Sequence, residues 1–188
     1  NSQTNNNQNH MFLDSYFGLS VLWRTCKSWF RLRRKALSFQ NLPTLFQVNE
    51  SGVNLWPLLK RDWITSTSGS IAAANCFWVA LFDSALKDKP KQEFGLYLHE
   101  GQAWELAMLA AWRKYRHGQI VAVQHATVPF WHLYYFNDQS VYLNQSSSGM
   151  PVPDLWSTNG PAAYSAFLDS GYPSDKVIML EALRYLDI

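Results

Sequence analysis

The chain has 188 residues, the size of one domain, and is 47% hydrophobic against 16% charged, a globular composition that excludes a disordered or fibrous protein. Its formal net charge of +2 is too small to argue for nucleic acid from bulk electrostatics. Cys26 and Cys76 lack a redox or zinc spacing, and no run of about 18 apolar residues predicts a membrane span, so a reduced, cytoplasmic protein is the default expectation.

Residues 1–10 are polar and low in complexity, and residues 1–18 are expected to be a disordered tail or linker because they bury too little to offset the entropy of ordering. Residues 19–49 are expected to hold a basic amphipathic helix and its connection. Leu22, Trp23, Cys26, Trp29 and Phe30 recur at three- and four-residue steps, while Arg24, Lys27, Arg31 and Arg34 fall elsewhere on the helix. This predicts Leu22, Cys26 and Trp29 buried with Arg24, Lys27 and Arg31 outward. Between Asp14 and Glu50 there is no acidic residue, so the helix concentrates positive charge while the rest of the chain is net negative. Two readings stay open for it: a helix packed on the domain with a solvated face, or contact with an anionic membrane surface.

Residues 50–188 are expected to form an α/β lobe, a Rossmann-like parallel sheet with helices on both faces. Ser66 to Ser70 precede the apolar run Ile71 to Leu86, and Ser68 and Ser70 sit where a helix start is either capped by serine or binds an anion. Phe94 to His99 reads as a buried strand, Ala103 to Tyr115 as a helix, and Gln119 to Gln124 as a second strand. Strand, helix and strand within about 30 residues, with continuous apolar runs, predict parallel pairing. Residues 154–158, 161–170 and 176–180 continue the alternation, while residues 137–153 read as an exposed loop around Val141-Tyr142-Leu143.

Open parallel sheets bind ligands beyond the carboxyl ends of their strands. The residues there are polar: His99, Glu100, Gln102, then Gln124, His125, Thr127, then Asn159. Glu100 and His125, at the ends of neighbouring strands, are the pair that could address one hydroxyl as general base and partner. The plainer alternatives are that Glu100 caps the following helix and that His125 is a satisfied core histidine. Trp104 either stacks on a sugar ring or packs in the core. No metal-ligand spacing is present, and no metal is expected.

Several of these segments together resemble a family of bacterial surface-carbohydrate biosynthesis proteins: Trp56-Pro57-Leu58-Leu59-Lys60-Arg61-Asp62-Trp63, Ser66 to Ser70, Tyr97 to Glu105, Gln124 to Trp131, and Glu181 to Leu186. More distantly, the order Glu100-x-x-x-Trp104-Glu105, Gln124-His125, Asn159-Gly160 and Gly171-Tyr172-Pro173 is similar to the first lobe of GT-B-like glycosyltransferases, which have two Rossmann lobes. Ala126 stands where such transferases often carry glycine.

The resemblance implies a lobe that helps transfer a sugar, or a sugar-like phosphate unit, from a nucleotide-activated donor to a surface polysaccharide of capsule or O-antigen type. The donor would lie mainly on a second lobe beyond Ile188, with Arg184 at the hinge and no cofactor on this lobe. Glu100 would be the base and His125 its partner, with Ser68, Ser70, Gln102, Trp104, Gln124, Thr127, Asn159 and Arg184 as substrate contacts. The expected partners are the second lobe, a glycan acceptor and, for the isolated lobe, a second copy; the location is cytoplasmic, at or near the inner membrane face. The alternative is a non-catalytic glycan-binding or scaffold lobe in a polysaccharide assembly complex.

Overall fold

The computed structural model describes residues 10–48, 51–128, 131–143 and 149–180. The chain divides into two compact units, Asn1–Ala85 and Leu86–Ile188. The helices of residues 56–87, grouped by sequence with the sheet, therefore fall almost entirely in the first.

That first unit is helical, with α1 (Leu19–Leu37), α2 (Leu42–Leu45), α3 (Trp56–Thr67) and α4 (Ser70–Lys87). Proline at the first turns of α2 and α3 suits positions whose N–H needs no helical partner. Val21 of α1 packs with Ala80 and Leu81 of α4, flanked by Leu13, Tyr16, Phe77 and Trp78. The expected orientation of α1 is corrected here. Leu22 and Cys26 are exposed, Trp29 is half-buried and donates its indole N–H to the Ser68 carbonyl at 3.1 Å, and Val21 and Ala36 are the buried residues. Arg24 turns inward rather than outward. Its guanidinium donates to the Asp83 carboxylate, the Ser84 hydroxyl and the Ala80 carbonyl of α4. Apolar residues lie on two sides of α1, so periodicity alone left the choice of inner side open, and Asp83 decides it by giving a half-buried arginine its counter-charge.

Taken as one stretch, Trp56–Lys87 contains an 18-residue window of mean hydropathy 1.3, which by length and composition reaches what a membrane-crossing helix needs. Polar residues within it, among them Thr65, Ser66, Thr67, Ser68, Ser70 and Asn75, keep it from being an unbroken apolar run.

In the second unit, β1 (Phe94–Leu98), α5 (Ala103–Lys114), β2 (Gln119–Val123), α6 (Gln139–Leu143), β3 (Leu155–Thr158), α7 (Pro161–Asp169) and β4 (Val177–Met179) follow in order. The four strands form one sheet in the order β1-β2-β3-β4, every neighbour parallel, flanked by helices. The α/β class and parallel pairing are as the apolar runs predict, but β1, expected to be a buried strand, is buried only at Tyr97.

Register places Tyr97, Ala122, Trp156 and Val177 in one row across the sheet. That row joins Leu109 and Trp112 of α5, Phe167 of α7, and Tyr135, Tyr142 and Tyr172 in one core. Tyr142 is therefore buried, not part of an exposed loop. It stacks on Tyr172 at 4.1 Å between ring centroids, and Tyr172 stacks on Phe167 at 4.4 Å. Such pairs contribute roughly 0.5–1.5 kcal/mol each beyond the area they bury. At Gly95 in β1 a side chain has no room, since a Cβ there would lie 2.7 Å from the Trp112 ring. In β1 the residues facing away from this core, Phe94, Leu96 and Leu98, remain exposed.

Candidate functional site

The polar cluster begins where β1 stops. The chain after Leu98 must turn from strand to helix within four residues, and Gly101 makes that turn with φ +70, in the left-handed region that favours glycine. The loop is held by a carboxylate from the helix it leads into. Glu105, at the third helical position of α5 and 3% exposed, accepts from the Gln102 amide at 2.8 Å and the Glu100 amide at 2.9 Å. A glutamate reaching back from this position is half of a capping box, and its charge also suits the positive end of the helix. Its second oxygen lies 3.1 Å from Nδ1 of His99. One buried carboxylate thus fixes three polar positions of the loop, His99, Glu100 and Gln102.

Helix capping belongs to Glu105, which releases Glu100 from that role. The Glu100 side chain instead meets His125, with Oε1 and Nε2 separated by 3.2 Å. The two side chains are 41% and 42% exposed, so the pair stands at the surface and open to a ligand. Parallel pairing of β1 with β2 puts their carboxyl ends side by side, and the register Leu98↔Val123 brings the residues just beyond them into reach. His125 is thus a partner of Glu100 and is not enclosed in the core. A carboxylate hydrogen-bonded to an imidazole can accept a proton from a bound hydroxyl while the imidazole orients it or disperses the charge.

The other residues singled out by sequence separate into groups. Gln124 is buried, its amide Oε1 accepting from the Asn159 amide at 3.3 Å and its Nε2 donating to the Ala126 carbonyl. Asn159 also donates to the Ala126 carbonyl, at 3.2 Å. These two tie the end of β2 to the end of β3 and keep the loop carrying His125 in place. Thr127 is exposed beside them, and Gln102 is exposed at the start of α5. Trp104 is half-buried and set edge-on against Tyr97, at 6.4 Å between centroids, which is core packing. Ser68 and Ser70 belong to the first unit, at the end of α3 and the start of α4. Arg184 and Glu181 lie outside the described residues.

Beside the Glu100 loop is a cavity of about 300 Å³ whose wall includes Tyr97, His99, Gln102, Tyr134, Asn137 and Trp156. Small-molecule sites start at about this size and combine aromatic walls with a few polar groups. Burial pushes the phenols of Tyr97 and Tyr172 in this wall, and of Tyr135 in the adjoining core, well above the usual tyrosine range, so they stay neutral. Tyr135 donates to the His99 carbonyl at 3.2 Å. Among the described residues, no group of three or more His, Cys, Asp or Glu side chains is placed to hold a metal ion.

The four strands show no reversal of order, so the crevice that such a reversal opens in doubly wound sheets is not formed among them. Polar residues gather at the end of β1 because Glu105 draws them there. Glu105 and its pairing with His99 are functional features that strand-end polarity alone does not single out. The signal was present in Gln102-x-x-Glu105, a polar residue followed three positions later by glutamate at a helix start.

No protein-family model, curated protein or solved structure matches the chain.

Proposed function

We propose that this chain is a lobe of a glycosyltransferase-like protein of surface-polysaccharide biosynthesis, and that Glu100 with His125 handles the proton of the acceptor hydroxyl. The observation that carries the reading is the 3.2 Å contact between Glu100 and His125 at the carboxyl edge of a parallel sheet, open on one side. The motif resemblance supplies the reaction class. The neighbouring cavity, with aromatic walls and His99, Gln102 and Asn137 as polar groups, suits one ring of a glycan acceptor.

In the proposed step the acceptor oxygen forms a bond to the anomeric carbon of the donor sugar, and the bond from that carbon to the donor phosphate oxygen breaks. The electron pair leaves with the phosphate. The acceptor proton passes to the Glu100 carboxylate, whose orientation His125 maintains. Positioned general bases contribute roughly 10²–10⁴-fold, which sets the scale of the test.

The test is genetic and chemical. In a host whose surface polysaccharide depends on the protein, Glu100→Gln is expected to lower polymer output by roughly 10²-fold or more while expression and fold persist. Wild-type output from Glu100→Gln would overturn the general-base role. Loss of glycan binding in the same variant, with transfer activity absent from the wild-type protein, would assign the cleft to a glycan-binding scaffold lobe instead.

A further inference from the structure

The inward turn of Arg24 has an outward counterpart. With Val21, Ala36 and Arg24 directed at the interior, the opposite stripe of α1 consists of Leu19, Trp23, Phe30 and Leu37, all at least 60% exposed. Their spacings of four and seven residues align them along one side of a helix. Lys27 and Arg34 fall beside the stripe on one flank and Arg33 on the other, and a shallow groove of about 550 Å³ is lined by Lys27, Phe30, Arg31, Arg33, Arg34 and Leu37. Lys27 also lies over the Trp23 ring, 4.8 Å from its centre.

A solvated helix face would carry mixed charges. This one has exposed tryptophan, phenylalanine and leucine whose charged neighbours are all cations, on a segment with no acidic residue between Asp14 and Glu50. The combination fits a surface that is apolar a few ångströms in and anionic at its rim. We infer that α1 docks on the surface of an anionic phospholipid bilayer, with Leu19, Trp23, Phe30 and Leu37 entering the acyl boundary and Lys27, Arg31, Arg33 and Arg34 meeting lipid phosphates. A protein partner would need an acidic groove with an apolar floor, whereas a bilayer supplies both layers without a matched shape. The inference does not depend on the transfer reading.

Co-sedimentation of the full chain with vesicles tests it. The chain is expected to pellet with vesicles of phosphatidylcholine enriched in phosphatidylglycerol at low salt, to stay in solution with phosphatidylcholine alone, and to be released by high salt, which screens the attraction. Replacing Lys27→Gln and Arg34→Gln together is expected to lower the partition coefficient about thirtyfold, each basic residue near such a surface being worth about fivefold. Trp23→Ser with Phe30→Ser is expected to weaken binding to the same vesicles at unchanged net charge. All four side chains are exposed, so far-UV circular dichroism should match the parent. Failure to pellet with anionic vesicles at low salt overturns the inference, as does undiminished binding by the Lys27→Gln, Arg34→Gln variant. Retention through alkaline carbonate extraction, insensitive to these substitutions, would also overturn it and assign the attachment to the apolar stretch Trp56–Lys87.

Discussion

Glu105 and His99 meet at 3.1 Å across the junction of a helix start and a strand end, and the same carboxylate holds the backbone amides of Glu100 and Gln102. The position of Glu100 is therefore set by a carboxylate that is itself almost wholly buried. Stability and site geometry share one side chain.

Glu105→Ala should accordingly be the most damaging single change near the site. It leaves two loop amides and a partly buried imidazole without their partner, and a loss of about 3 kcal/mol is expected, since orphaned buried donors cost about 1–3 kcal/mol each and water re-enters part of the space. Glu105→Gln keeps one acceptor oxygen and should lose less. Urea unfolding at neutral pH measures both, and equal stability of Glu105→Ala and the parent would contradict the role.

The Glu100 and His125 pair should behave in the opposite way. Both side chains are two-fifths exposed, so their contact is expected to contribute under about 1 kcal/mol to folding. A double-mutant cycle on Glu100→Gln and His125→Ala, read by thermal unfolding, checks this. A large coupling energy would mark the pair as structural and weaken the proposed proton transfer.

Gly95→Ala tests the packing of β1 on α5. The added methyl would enter the Trp112 ring at 2.7 Å, and that ring cannot withdraw because its indole N–H donates to the Gly118 carbonyl at 2.7 Å. A loss of about 1–3 kcal/mol is expected from such overpacking. The paired substitution Gly95→Ala with Trp112→Phe should recover part of it, and absence of any recovery would locate the strain elsewhere.

Alkaline pH should expose the buried phenols. Tyr97 and Tyr172 are raised chiefly by burial, helped by the Glu105 charge and by Tyr142 respectively, and Tyr135 by burial and its neighbour Tyr134. An unfolded chain ionises these groups near the ordinary tyrosine value of 10.0 while the folded one keeps them neutral. Their contribution is thus complete below about pH 10 and declines as pH rises beyond it, because the unfolded state then binds fewer protons. Tyrosinate absorbance should rise in an early phase from exposed rings and a late phase coincident with unfolding. A single early phase in the folded protein would contradict the burial of these three.

Much of the sheet was legible because its strands are unbroken apolar runs separated by helical spacing. Phe94 to Leu98, Gln119 to Val123 and Pro161 to Asp169 lie within a residue of the expected limits. The meeting of Glu100 with His125 followed from the same logic, since parallel neighbours end together. The facing of α1 was not legible, because apolar residues occupy two sides and the deciding contact, Arg24 with Asp83, spans 59 positions of sequence. Tyr142 escaped for a related reason. A lone aromatic among Asn, Ser and Gln looks like a loop residue until Tyr172 and Trp156 are brought against it in space. Glu105 was visible as part of a motif, but its grip on His99 depends on the turn at Gly101.

The strand order has a consequence for how the unit is made. In sheets whose order reverses, a strand synthesised late must find the edge of a strand completed much earlier, past whatever has already folded over it. Here each new strand lies beside the one just before it, so the sheet can be extended at a single growing edge as the polypeptide leaves the ribosome. Every step closes a loop of only a few tens of residues, which keeps the entropy of closure low and the search local. The edge awaiting its next neighbour is always the newest strand, and it stays open only for the time needed to synthesise one helix and one strand.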